Sequence, residues 1–159
     1  MRISVICVGK IKEAFYRDAI AEYRKRLSRY ATMEIVELID EKTIDGASAS
    51  EERKVIDTEG ERILKVLSDE AFKIALCIDG KKLDSVAFSE KIEAIKVSGY
   101  SHIQFIIGGS LGLSKAVVSK ADYKLSFSDM TFPHQLMRVI LYEAVYRCYQ
   151  IDKGTRYHK

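Results

Sequence analysis

Hydrophobic positions along the chain switch repeatedly between two periods. Ile3 to Val8 is a short apolar run of strand length, and Lys12 to Arg29 then carries Ile20, Tyr23 and Leu27 at helical spacing, with Tyr30 just beyond. Met33 to Ile39 reads as a second strand. The polar stretch DEKTIDGASASEE, residues 40–52, reads as a long mobile loop leading into a second helix that runs to about Leu67. Phe72 to Ile78 is a third strand closed by an Asp79-Gly80 turn, and a third helix runs from Ser85 to Ser98 with Gly99 in the stop position. HIQFII is the fourth strand, GGSLGLS a loop, Lys115 to Ala121 a short helix and YKLSF the fifth strand. Pro133 to Gln150 is the last helix, followed by the tail IDKGTRYHK.

Strands and helices that alternate in this way predict an α/β fold with one parallel sheet and right-handed crossovers. No repeat or low-complexity segment interrupts the pattern, so residues 1–159 are expected to form a single domain. A chain of 159 residues buries roughly 70% of its extended-chain surface on folding, enough for one sizeable core.

In such sheets ligands bind beyond the carboxyl ends of the strands, which directs attention to the loops after Ile78, Ile107 and Phe127. IIGGSLGLS puts Gly108, Gly109 and Gly112 where main chain can approach a ligand closely. It is not a dinucleotide fingerprint, because Ser110 stands at the second glycine position counted from Gly108, and no G-K-[ST] follows to make a phosphate loop. Tight packing explains the glycines nearly as well as a ligand does. The loop after Phe127 leads to Pro133, the one proline of the chain. Proline suits a first helical turn, where its missing N–H costs nothing, and Thr131 stands where a cap is expected. In the helix that follows, Leu136, Ile140, Leu141, Ala144 and Val145 form the face to bury, with Arg138 and Arg147 elsewhere.

Composition removes several classes. Hydrophobic residues make up 47% of the chain and charged residues 31%, and no apolar run approaches the ~18 residues of a membrane helix. The N-terminal apolar stretch is too short for a signal peptide, so a cytoplasmic protein is expected. Cys7, Cys77 and Cys148 are odd in number and lie in apolar contexts, which favours buried thiols over disulfides. None has metal-ligand spacing with another or with His102, His134 or His158, so no metal is expected.

Charge is unevenly spread. Residues 31–70 carry 12 acidic and 5 basic side chains, Lys10 to Tyr30 carries 7 basic and 3 acidic, and Arg138 to Lys159 carries 5 basic and 2 acidic. If the two basic stretches share a face, they attract a polyanion such as RNA; taken alone they are equally well explained as solvated helix faces.

The segments FIIGGSLGL, LSFSDMTFPHQLMRVILYEAVYR and the terminal YHK, in a chain that starts RISVICVGKIKE, closely resemble the ribosomal RNA large subunit methyltransferase H family of SPOUT methyltransferases. The resemblance covers essentially the whole chain. It implies a SPOUT fold with a C-terminal trefoil knot, a homodimer, and S-adenosylmethionine held in a bent form. It further implies methylation of N3 of a pseudouridine in large-subunit (23S) rRNA, with the assembled ribosome as substrate. Leu76, Gly108, Phe127, Ser128, Asp129, Met130, Thr131 and Phe132 are the implied cofactor residues. His158 is the first choice as base for the N3 proton, with His134 as an alternative that capping or packing explains better. Tyr157 is placed against the target base, Arg156 and Lys159 against phosphates or the developing anion, and Arg138 is a second candidate for substrate contact. The alternatives are a SPOUT methyltransferase of another RNA such as tRNA, a non-catalytic ribosome-binding factor, and, for the fold, a flavodoxin-like nucleotide-binding domain.

Overall fold

A computed structural model describes all of residues 1–159. The elements follow in the order β1 (Arg2–Val8), α1 (Ala14–Leu27), β2 (Thr32–Leu38), α2 (Ala49–Leu64), β3 (Phe72–Lys82), α3 (Ser85–Val97), β4 (His102–Ile107), α4 (Lys115–Lys120), β5 (Tyr123–Ser126) and α5 (His134–Asp152). All five strands pair in parallel in one sheet ordered β2-β1-β4-β3-β5, the α/β architecture that the alternation predicts.

A sheet covered on both faces needs strands that are apolar on both sides, and β1 shows how this is met. Ile3, Val5 and Cys7 join the larger core beneath α1, α3 and α5, with Ile20, Leu27, Phe88, Ile92, Phe105 and Leu141. Ile6 and Val8 point to the other face, where Ile63 of α2, Ile106 of β4 and Val117 of α4 meet them. The period of two within one apolar run thus serves two cores at once.

Three boundaries differ from the sequence reading, each for a local reason. The polar stretch after β2 ends earlier than its composition suggests. Ser48 caps α2 from inside it, accepting from the Glu51 N–H while the Glu51 side chain returns to the Ser48 N–H, a reciprocal box that the S-x-x-E spacing permits.

Asp79-Gly80 is not a turn. β3 continues to Lys82, pairing with Leu125 first through Leu76 and again through Lys81, so the residues between form a bulge. A Cβ at Gly80 would stand 2.6 Å from the Leu125 carbonyl carbon, so the glycine serves a close approach of two main chains.

At α5 the position before the helix belongs to Pro133 itself, whose carbonyl accepts the Met137 N–H at 2.9 Å. No side chain caps this end, and Thr131 is exposed without that role.

The buried face of α5 also departs from expectation. Leu136 and Ile140 are half-buried, whereas Met137, Leu141, Tyr142, Val145, Cys148 and Tyr149 enter the core, and Arg138 lies among them with 0% exposure. Its guanidinium donates to the carbonyls of Val8 at 2.9 Å and Gly9 at 2.8 Å and to Glu37 of β2 at 3.1 Å. The expected substrate-facing Arg138 is therefore corrected: its side chain has no exposure and its two Nη groups are spent on the carboxyl ends of β1 and β2, where strand carbonyls without ladder partners need them, with Nε buried and unpaired. It fastens the first turn of α5 to the strand ends beside the candidate site.

Replacing Arg138 by Met is expected to lower stability by about 3–5 kcal/mol, because Glu37 and two carbonyls lose a charged donor in a buried place. Urea unfolding with an unchanged m-value measures it. Gly80→Ala, which forces a methyl into the β5 main chain, is expected to cost about 1–3 kcal/mol by the same measurement.

Candidate active site

Beyond the carboxyl ends of β3, β4 and β5 lies a cavity of about 750 Å³, within the range of small-molecule sites. Leu76, Cys77 and Ile78 line it from the β3 bulge, residues 107–113 from the end of β4 and the glycine loop, and Leu125 to Ser128 with Met130 to Pro133 from the β5–α5 connection. His134 and Met137 close it from α5. Eleven of the twenty lining residues are hydrophobic, so the cavity suits a ligand with a large apolar surface and a few polar anchors.

Its two loops are shaped by short-range contacts. Gly109 and Gly112 form an antiparallel bridge, with the Gly112 N–H on the Gly109 carbonyl at 3.1 Å and Gly112 at φ +86°. A Cβ at Gly108 would lie 2.6 Å from the Gly112 main chain, so the turn can be this tight only with glycine there. Ser114 ends the loop by accepting from the Val117 N–H and capping α4. In the β5–α5 connection the Ser126 hydroxyl donates to the Ser128 carbonyl at 3.1 Å, and the Ser128 hydroxyl accepts from the Met130 N–H at 3.0 Å. Two serines thus fold a segment that has no regular structure.

Of the eight expected cofactor residues, Leu76, Gly108, Phe127, Ser128, Met130, Thr131 and Phe132 lie on the cavity wall. Asp129 does not: its exposed carboxylate turns to Lys82 in an ion pair. Met130, 70% exposed, presents an apolar side chain at the mouth. The residue types alone left unmarked the walls supplied by Cys77, Ile107, Leu113 and Leu125, which carry only an ordinary core pattern in the sequence. Cys77 is accordingly half-buried against the cavity, while Cys7 and Cys148 are buried as expected and all three thiols are free.

His134 is half-buried at the mouth, and burial, followed by the nearby Arg138 guanidinium, pushes its imidazole below the ordinary range. It is therefore neutral at neutral pH. Asp40, two residues beyond β2, approaches it across Gly9, which turns the chain at φ +83°.

The tail lies elsewhere. The Tyr157 hydroxyl donates to Glu143 at 3.2 Å, its ring meets Tyr146 edge-on with centroids 5.0 Å apart, and the Arg147 guanidinium stands 4.8 Å from its centroid. Burial and the Glu143 carboxylate push this hydroxyl up to about 12, so it stays protonated. His158 Nδ1 is 3.4 Å from Arg147, and Arg156 and Lys159 are exposed. With a rise of about 1.5 Å per residue, Glu143 and Arg147 sit roughly 13 and 20 Å down α5 from His134. One chain therefore holds its tail and its cavity apart.

The two basic stretches do share a face. The last turns of α1 pack on the second half of α5, where Tyr23, Tyr30, Tyr146 and Tyr149 form an aromatic ledge. Arg26 covers Tyr23 and Tyr146, and Lys153 stands 4.6 Å from the Tyr30 centroid. Exposed cations beside aromatic rings match what a nucleic acid offers, phosphates and stackable bases. No helix is long and apolar enough to cross a membrane.

Residues 1–158 match a family model described as "Predicted SPOUT methyltransferase". Curated proteins named ribosomal RNA large subunit methyltransferase H from Bifidobacterium adolescentis, Clostridium beijerinckii and Streptococcus agalactiae are 58%, 54% and 50% identical to the chain, over 100% of it and of each of them. A solved structure described as "a probable methylase family protein" from Haemophilus influenzae Rd KW20 is similar in fold, with a TM-score of 0.55 at 12% identity over 99% of this chain and 70% of that one. The chain belongs to the SPOUT methyltransferases, in the ribosomal RNA large subunit methyltransferase H family, and is a methyltransferase by that membership.

Proposed function

We propose that this methyltransferase takes S-adenosylmethionine into the cavity and methylates N3 of one pseudouridine of 23S rRNA in the assembled ribosome. The observation that carries the reading is the cavity itself, built by a glycine loop and a serine-folded turn in a chain of this family. The walls suit the cofactor: Leu76, Phe127, Met130 and Phe132 offer apolar surface, and the Gly108 and Ser128–Thr131 main chain offers polar anchors at close approach. When bound, the cofactor supplies a methyl group already activated on a sulfonium. The protein has only to align the base and remove the N3 proton.

His158 takes that proton, Tyr157 holds the base, and Arg156 and Lys159 receive phosphates or the developing anion. Because the tail docks far down α5 from its own cavity, it completes the site of a partner subunit, and the active form is a homodimer. The basic α1–α5 ledge lies beside the tail and extends the rRNA contact. The C-terminal trefoil knot and a cytoplasmic location belong to the same reading.

Methyl transfer from radiolabelled S-adenosylmethionine to ribosomes, separated subunits, free rRNA and tRNA, from cells without this protein, is expected to label one pseudouridine of assembled ribosomes. Label on tRNA alone would replace the substrate. His158→Ala is expected to lower the rate by roughly 10²- to 10⁴-fold with cofactor affinity unchanged; an undiminished rate removes the base assignment. Co-expressing His158→Ala with Gly108→Val, each inactive alone, is expected to restore a fraction of the activity, because a mixed dimer holds one intact composite site. Mixed dimers without activity would place tail and cavity in the same chain.

A further inference from the structure

Behind the glycine loop stands a carboxyl group that the reaction outlined above does not use. Glu59, in the third turn of α2, is only 4% exposed, and its Oε2 is buried without a hydrogen-bond partner. Its Oε1 accepts the Glu41 N–H at 3.0 Å. An ideal Cβ at Gly109 would lie 2.7 Å from Oε2, so the free acceptor faces the loop's main chain directly. The next residue, Gly60, has no room for a Cβ because Ser114, at the far end of the loop, is packed against it. Two successive residues of α2 therefore brace both ends of the loop that walls the cavity.

The same carboxyl group gives a role to the acidic segment after β2. Asp40 stands beside Gly9 and His134 on one side of the cavity mouth, and the Thr43 hydroxyl lies 3.4 Å from that of Ser110 on the other. Between them Glu41 is held by Glu59 through its N–H and by Arg62 through an ion pair, and Arg62 also donates to the Ile39 carbonyl. Residues 40–43 thus form a strap across the strand ends, pinned from below by α2.

A buried acceptor without a donor is costly, and such a group persists where another state of the protein supplies the donor. We propose that Glu59 is a positioning residue for the methyltransferase. When the cofactor fills the cavity, Oε2 receives a main-chain N–H of the Gly109–Ser110 segment while Oε1 keeps the strap in place. The proposal rests on the cofactor reading of the cavity. Acceptance requires the carboxylate form. Burial holds the Glu59 carboxyl above its usual range; the hydrogen bond from the Glu41 N–H and the Arg62 charge oppose it, and the Asp40 and Glu41 carboxylates of the strap act in the same direction as burial. Residues 108–114 carry no ionisable side chain. Cofactor affinity accordingly rises with pH as Glu59 loses its proton, in a step placed above the ordinary carboxylate range.

Calorimetric titration of S-adenosylmethionine into the full-length protein across that pH range tests it. Glu59→Gln keeps the shape and the Oε1 contact but removes the charge, and Glu61→Gln on the exposed side of the same helix is the control. Glu59→Gln is expected to bind roughly ten- to a hundredfold more weakly, the size of loss seen when a residue that orients a site's ligating groups from behind is removed, and to lose the pH step; Glu61→Gln is expected to keep both. Urea unfolding shows that each variant is folded. A Glu59→Gln protein with wild-type affinity, or with weaker affinity and the step intact, overturns the proposal. A wild-type protein that binds no S-adenosylmethionine overturns the cofactor reading instead.

Discussion

At the carboxyl edge of the sheet, main chain has to come within touching distance of main chain, and the cavity depends on that constraint. β3 crosses β5 so closely that the Leu125 backbone occupies the place of a Cβ at Gly80, and the loop after β4 folds back on itself so tightly that Gly108 meets Gly112. Any side chain at these points would push the walls apart by an ångström or more, and cores resist such displacement at a cost of about 1–3 kcal/mol. Gly80 and Gly108 are therefore spatial requirements of the walls, whereas Gly112 has room for a Cβ and is required by its positive φ.

The second organising feature is the division of labour along α5. Its first turn reaches the cavity and is anchored by Arg138, whose guanidinium is fully withdrawn from water and bonded through its two Nη groups to strand carbonyls and Glu37, while Nε is left without a partner. Its last turns lie against α1 and carry the tail, with Arg147 stacked on Tyr157 and bonded to Glu143. Two arginines nine positions apart thus meet opposite fates, because one faces strand ends rich in unpaired carbonyls and the other faces solvent beside aromatic rings. The length of the helix separates anchor from tail. Cavity and tail therefore lie at opposite ends of one helix.

The strap and α2 add a layer behind the chemistry. Residues 40–43 touch both sides of the cavity mouth, and a single buried carboxyl group links them to the glycine loop. This arrangement ties the acidic half of the chain, which offers nothing to a phosphate backbone, to the small-molecule side of the site. The basic half remains free for the polyanion.

Much of this was legible in the residues. The alternation of periods determined five strands and five helices in the right order, since a buried parallel strand and an amphipathic helix leave different hydrophobic patterns. Local chemistry also determined the glycine loop, the stop at Gly99 and the start of the last helix at Pro133. Of the eight cofactor positions that the resemblance implied, seven lie around one cavity: Leu76, Gly108 and five of the six in the SFSDMTF run. Other features were decided only by tertiary structure. Asp79-Gly80 has turn chemistry, yet pairing with β5 makes it a bulge; Arg138 has the composition of a surface residue, yet the carbonyls of Val8 and Gly9, at the other end of the chain, hold it inside the core. Glu59 is one acid among many in a polar stretch until Gly109 is packed against it. Periodicity records which way a side chain faces along its own element; what waits for it there is supplied by distant segments, and only the folded chain brings those into contact.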